Sequence, residues 1–309
     1  MTDSAEAKAR ALHAVPQSHA DLLGRPLDIV MTTEMPDGRL QSTVVWFSVD
    51  GEDVVVNTMR EFRKARNLRE RPRATVLIME PAGERRWIEV RAEVTLEEES
   101  AMAHLDALAR SYCGAERYFG EVVPAELAAT EHPLRCRLHP ISVAIGPALL
   151  PGRPGGRLPP APPVAARACQ GEPPIPGSHR ELLERPLLGA LATPLRVGAQ
   201  VHPTWFDLDG NDVLVNTTRE RAKGRNRARD PRATMLVVDP DDTSRWIEIR
   251  GDVDLIEEGA LEHLDRLTRR YTSHPGYYGH VYPAERAERE TRVVARIHPR
   301  RINVDAIHR

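Results

Sequence analysis

The sequence predicts a mainly β (α+β) protein made of two tandem copies of one small antiparallel barrel. Three observations carry that expectation: a long stretch that recurs at constant spacing, an Asp-Gly turn between β-forming runs in each copy, and a segment rich in proline and glycine between the copies.

The recurring stretch runs from Thr204 to Asn226 and repeats as Val45 to Asn67. Trp205 and Trp46, Asn216 and Asn57, Lys223 and Lys64, and Trp246 and Trp87 all stand 159 positions apart. A unit of roughly 125–150 residues is an ordinary domain size, so 309 residues hold two. The composition, 41% hydrophobic and 28% charged, is that of a soluble globular chain. With 43 basic against 45 acidic residues the net charge is −2, which provides no global field for nucleic acid or an anionic membrane. Cys113, Cys136 and Cys169 are odd in number and do not recur between copies. That argues for a reducing compartment and against a disulfide frame or a cysteine metal site. The first residues lack the apolar core of a signal peptide, and no apolar run is long enough to span a bilayer, so the expected location is cytoplasmic.

Taken in order, residues 1–20 read as a polar lead-in, 21–146 as the first domain, 147–177 as a linker and 178–309 as the second domain. The copies open on Asp21-Leu22-Leu23-Gly24-Arg25-Pro26-Leu27 and Glu181-Leu182-Leu183-Glu184-Arg185-Pro186-Leu187, one residue out of step with the later repeat. A loop around Met35 to Gly38 absorbs the difference. Two strands then meet at Asp50-Gly51 and Asp209-Gly210, a dipeptide that tolerates the positive φ of a tight hairpin. A basic helix follows. It is stopped at Arg71-Pro72-Arg73 and Asp230-Pro231-Arg232, because proline lacks the N–H and disfavours helix before it.

Ala74 to Met79 and Ala233 to Val238 are almost continuously apolar, the pattern of a strand buried on both faces. Trp87 to Val94 and Trp246 to Val253 alternate, as a strand with one wet face does. Met102, Leu105, Leu108 and Tyr112, and Leu261, Leu264, Leu267 and Tyr271, have helical spacing. Closing strands are expected from Arg135 to Ile145 and from Arg292 to Ile307. About six strands and two helices per copy make a small barrel. The linker's prolines stiffen it toward polyproline II.

The chemistry concentrates after the hairpin. Asn216-Thr217 leads into Arg219, Arg221, Lys223 and Arg225, and Asn57-Thr58 into Arg60, Arg63, Lys64 and Arg66. Unpaired N–H groups and the positive end of a helix, joined by such cations, make a site for an anion such as phosphate. Of 43 basic residues only Lys8, Lys64 and Lys223 are lysines, and the last two occupy one repeat position. A helix begun near Thr218 puts Arg219, Lys223 and Asn226 on one face and turns Arg221 away; a loop there lets all the cations converge. A basic helix face is otherwise simply solvated. Asn216-Thr217 and Asn57-Thr58 either end a strand and cap a helix or line a bound ring. Trp205, Trp46, Trp246 and Trp87 read equally as barrel core or as ligand contacts. His104 and His263 recur on a helix face that reads as exposed, and His139 and His298 precede a proline at a strand turn. Neither pair has zinc-ligand spacing, so no metal is expected. Tyr277 and Tyr278 sit in a loop able to close over a substrate.

The string Pro203-Thr204-Trp205-Phe206-Asp207-Leu208-Asp209-Gly210, then Val215-Asn216-Thr217 with Arg219, Arg221, Lys223, Arg225 and Asn226, then Asp230-Pro231-Arg232-Ala233-Thr234, then Arg245 to Gly251, resembles the deazaflavin-dependent branch of the pyridoxamine 5′-phosphate oxidase-like family. The resemblance covers nearly all of the second copy. It implies FMN-binding-like split β-barrels that work as a dimer, here an intramolecular pseudo-dimer, with basic residues gripping a cofactor phosphate. The implied cofactor is F420, whose reduced form passes a hydride to an unsaturated small-molecule acceptor. On that reading the second site is Trp205, Asn216, Thr217, Arg219, Arg221, Lys223, Asn226 and Trp246, and the first is Asn57, Thr58, Arg60, Lys64, Asn67 and Trp87. No general acid or base is nominated, because the chemistry belongs to the cofactor. The first copy departs at Phe62, where the second has Arg221. Two alternatives stand beside this reading. One is an FMN-dependent oxidase or reductase of the same fold. The other is a non-catalytic flavin or haem binder, against which neither copy offers an evident axial ligand for haem.

Overall fold

The computed structural model describes residues 12, 15–80, 86–146, 173–219 and 230–305. Two compact units divide the chain, Met1–Pro147 with Arg196–Val201, and Ala148–Leu195 with His202–Arg309.

Each copy of the repeat carries one seven-stranded antiparallel sheet, one strand more than the periodicity predicts. In the first, β1 (Ile29–Glu34), β2 (Leu40–Val45), β3 (Phe47–Asp50), β4 (Asp53–Met59), β5 (Arg73–Met79), β6 (Trp87–Glu97) and β7 (Pro133–Gly146) lie in the order β2-β1-β5-β6-β7-β4-β3. In the second, β8 (Gly189–Pro194), β9 (Ala199–Thr204), β10 (Asp207–Asp209), β11 (Asp212–Thr218), β12 (Arg232–Val238), β13 (Trp246–Ile256) and β14 (Arg292–Val304) keep the same order, β9-β8-β12-β13-β14-β11-β10. The extra strand comes from reading the segment before each Asp-Gly turn as one strand. It breaks at Trp46 and Trp205, and its two pieces join opposite ends of the sheet.

The turns form as the sequence requires. Gly51 and Gly210 take φ of 63° and 64° at the first loop position, where a side chain is strained. β5 and β12 are buried along nearly their whole length, and β6 and β13 bury alternate residues toward their ends. Both long hairpins carry a bulge at one repeat position: the register shifts between Arg91 and Ala92 and between Arg250 and Gly251. A bulge adds local twist, which lets a long strand curl around a core. The first core holds Ile29, Val54, Val56, Val76, Ile88 and Leu138, and the second Leu191, Phe206, Val215, Met235, Ile249 and Ile297. Leu12 and Val15, within the stretch expected to be a lead-in, also pack into the first core.

The helices depart from the sequence reading at two points. On α3 (Ala101–Cys113), the third helix after α1 (Gln17–Ala20) and α2 (Arg63–Glu70), Leu105 and Leu108 are buried but Met102 is exposed. On α5 (Ala260–Tyr271), which follows α4 (Gly177–Glu184), Leu264, Leu267 and Tyr271 are buried but Leu261 is exposed. The place inside is taken by histidine, with His263 3% exposed and His104 half-buried. The surface position expected for this pair is therefore corrected. Among the described residues no helix is long and apolar enough to cross a membrane, and no cluster could hold a metal ion.

Candidate cofactor site

The site is built where β4 and β11 run out. In the first unit Phe62, in extended conformation, starts α2 without a side-chain cap hydrogen bond. Lys64 lies in that turn. It is 8% exposed, and no hydrogen bond or ion pair reaches it among the described residues. Burial pulls its ammonium down to about 8, with Cys136 opposing the shift. A buried lysine with no counter-ion among the described residues, beside an uncapped helix start, is suited to an anion.

Two of the other cations are already engaged. Arg60 pairs with Glu98 at 2.7 Å, and Arg219, at the same repeat position, pairs with Glu257, the counterpart of Glu98. Both pairs are exposed, so each is worth about 0–1 kcal/mol and yields to a better anion. Glu257→Gln should tighten phosphate binding to the second copy by about two- to fivefold, read by isothermal titration; no change would mean that Arg219 takes no part. Asn67, 1% exposed, donates to Thr33 Oγ1 (3.0 Å) and Gln41 Oε1 (3.1 Å), holding α2 against the β1–β2 hairpin. Arg221, Lys223 and Asn226 lie outside the described residues.

Asn57 and Asn216 join strand to helix. With its amide oriented to satisfy both ends, Asn57 accepts from His104 Nδ1 (2.7 Å) and Leu105 N (3.1 Å) and donates to Leu134 O (3.2 Å). Asn216 Nδ2 donates to Ala260 O at 2.7 Å, and its Oδ1 lies 3.5 Å from Arg292 Nη1. Thr58 and Thr217, next along each strand, are buried. Burial holds His104 and His263 down at about 4, so both imidazoles are neutral at physiological pH. His104 Nε2 bonds Ser48 Oγ at 2.9 Å; the second copy has Asp207 there, engaged instead by Arg266 and Arg270, each at 2.8 Å. His139 and His298 bond Asp53 and Asp212 at 3.0 and 3.1 Å, a structural use that accounts for their recurrence.

The tryptophans divide. Trp205 stacks on Tyr271 (5.4 Å between centroids) and meets Tyr277 edge-on (6.4 Å), and its Nε1 has no partner among the described residues. Trp46 repeats the arrangement with Tyr112 and Tyr118 at 5.0 and 6.1 Å. Trp246 is 2% exposed at the start of β13, its backbone N–H bonded to Asp305 Oδ1 at 2.9 Å, while Trp87 is half-buried over Gly146. Sequence reasoning passed over Tyr278, Glu290 and Arg292 as a group. The hydroxyl of Tyr278 donates to Glu290 Oε2 and accepts from Arg292 Nε, both at 2.8 Å. Their signal was present: two of the three positions hold Phe119 and Pro133 in the first copy.

The two sheets repeat one strand order, which defines a duplicated antiparallel fold. The pyridoxamine 5′-phosphate oxidase family model matches residues 15–135 and again 175–304, and the chain belongs to that family. It is similar to a solved structure described as an F420 reductase, 34% identical, covering 42% of this chain and 98% of that one, with a TM-score of 0.37. A Listeria innocua protein assigned to the pyridoxamine 5′-phosphate oxidases is 21% identical, over 41% of this chain and 94% of its own, at a TM-score of 0.33. The haem storage protein HutZ of Vibrio cholerae is 18% identical, over 41% and 92%, at 0.33. No curated protein matches the chain.

Proposed function

We propose that this chain is an F420-dependent oxidoreductase that uses the reduced deazaflavin to reduce an unsaturated small molecule. The observation that carries the phosphate site is Lys64, buried in the uncapped first turn of α2 with no counter-ion among the described residues. The same repeat position in the second copy is Lys223, and there Arg221 replaces Phe62 while Ala222 replaces Arg63, so the two copies place their cations differently. The choice of deazaflavin rests on the ordered motif string of the second copy. Arg219, Arg221 and Lys223 hold the phosphodiester by charge-assisted hydrogen bonds. Asn226 orients them, Asn216 and Thr217 meet the ring system, and Trp205 and Trp246 close its surroundings. In the first copy Asn57, Thr58, Arg60, Lys64, Asn67 and Trp87 take the corresponding places. When bound, the cofactor supplies the hydride; the residues position it and keep water away. The two copies in one chain serve as the two halves of the dimer that the resemblance implies, in a cytoplasmic protein.

The test is a titration with F420 and, separately, FMN, following cofactor fluorescence. F420 should bind more tightly than FMN, and Lys223→Ala should weaken it by about tenfold or more, the loss of one charge-assisted contact. Lys64→Ala should cost less. Preference for FMN would make the protein a flavin enzyme of the same fold. Binding of neither would refute the phosphate site.

A further inference from the structure

The closing strands of the two copies share one geometry and differ in what they show at its edge. β4 pairs with β7 only from Pro133 to Leu138, whereas β6 follows β7 as far as Gly146. β14 repeats this, since β11 pairs with it no further than Ile297 and β13 follows it to Val304. Each closing strand therefore ends in a segment with one edge that no other strand covers among the described residues. Such an edge presents a row of N–H and C=O groups able to pair with another chain, and charged side chains are a common protection against it.

The second copy has that protection and the first lacks it. Arg300 and Arg301 stand exposed on β14, with Arg300 Nε bonded to Asp252 Oδ2 at 2.8 Å. The same repeat positions in β7 are Ile141 and Ser142, and no charged residue occurs from Ile141 to Gly146. Ile141 and Ile145 lie on one face of the strand and are 41% and 39% exposed. Val143, between them, packs partly against the first core and anchors the segment. Val197, also exposed, lines a cleft with Ile141 and extends the apolar patch. On the other face Arg91 donates to Ser142 Oγ at 3.1 Å and is offset by Glu89 at 3.7 Å, so that pair brings no net charge to the edge.

We infer that the free edge of β7 from Ile141 to Ile145 is an interface with a second copy of this chain, the two strands pairing antiparallel about a twofold axis at Val143. The order of residues selects a second copy as the occupant. Antiparallel pairing centred on Val143 sets Ile141 opposite Ile145 of the partner subunit and Ser142 opposite Ala144 of the partner subunit, so large meets large and small meets small. A twofold interface needs a self-complementary surface of this kind, because residue i meets j and j meets i. With no charge along the seam, the copies meet without like-charge repulsion, and their apolar side chains pair across it. The corresponding pairing of β14 would crowd Arg300 and Arg301 of both copies along one seam. The inference is independent of the cofactor.

Sedimentation velocity of the full-length protein over a wide range of concentration tests this. Wild type should show a monomer–dimer equilibrium. Ile141→Arg with Ile145→Arg puts like charges opposite one another in that register and should raise the dissociation constant by about tenfold or more. Ile141→Arg with Ile145→Glu puts each arginine opposite a glutamate and should return the constant to within about threefold of wild type. Both isoleucines are exposed, and circular dichroism checks the folding of each variant. If either double variant does not fold, Ile141→Arg alone, which installs the residue of the second copy, decides by weakening the dimer severalfold. A wild type that stays monomeric at every concentration, a dimer that the folded arginine variants leave unchanged, or an arginine–glutamate variant as weak as the arginine–arginine one would each overturn the interface.

Discussion

Lys64→Met should stabilise the protein at pH 7 by about 3 kcal/mol, with most of the gain lost by about pH 10. The buried ammonium titrates at about 8, against 10.5 for the ordinary side chain. Between those values the unfolded chain holds the proton and the folded one has released it, so stability rises with pH across that window. Below it both states are charged, and the folded state carries the full desolvation cost, about 1.36 kcal/mol for each unit of the shift. Methionine fills similar space with no charge and removes both the cost and the slope. Cys136, whose thiol burial pushes up to about 12, titrates above the window and is common to both proteins. Urea unfolding at pH 7 and pH 10 measures the difference. Parallel pH dependence in wild type and variant would show that Lys64 is solvated or paired. Because the same substitution should also weaken phosphate binding to the first copy, one residue is expected to exchange stability for affinity.

Gly251→Ala should be the other costly change, at about 3 kcal/mol, the upper range for forcing atoms into a packed interior. A Cβ at Gly251 would stand 2.2 Å from His298 O and 2.8 Å from Ile297 Cγ2, and the first contact is backbone. The crowding follows from the bulge between Arg250 and Gly251, where β13 and β14 draw together. The bulge itself does not demand glycine, since Ala92 occupies the same position in the first copy and is 1% exposed. Ala92→Gly is therefore the control, expected to cost about 1 kcal/mol through lost burial and added chain freedom. Thermal unfolding separates the two, and equal effects would mean that the second hairpin relaxes to the geometry of the first.

Much of this was legible before any coordinates. The constant spacing gives the duplication, the Asp-Gly dipeptides the hairpins, and the continuous apolar runs the central strands. What periodicity could not supply was the identity of partners far along the chain. His104 looks like a surface residue until Ser48 and Asn57, 56 and 47 positions away, are seen to take its two ring nitrogens. Met102 and Leu261 have the right helical spacing for the core, yet both stay exposed, while His263 is buried and His104 half-buried. Lys64 carries a charge, which on a basic helix predicts exposure; its place one turn before Leu68, a core residue, is what turns it inward. The group formed by Tyr278, Glu290 and Arg292 was visible only as a mismatch between copies, and it takes the strand register to bring its members together.

The strand-for-strand repetition of the two sheets also has a genetic meaning. In a pair of identical subunits every coding change is made twice, so a residue that improves one pocket must be tolerable in both. Here each half of the gene is free to drift alone. Phe62 and Arg221, Met59 and Thr218, and Pro133 and Arg292 record such independent histories on one scaffold.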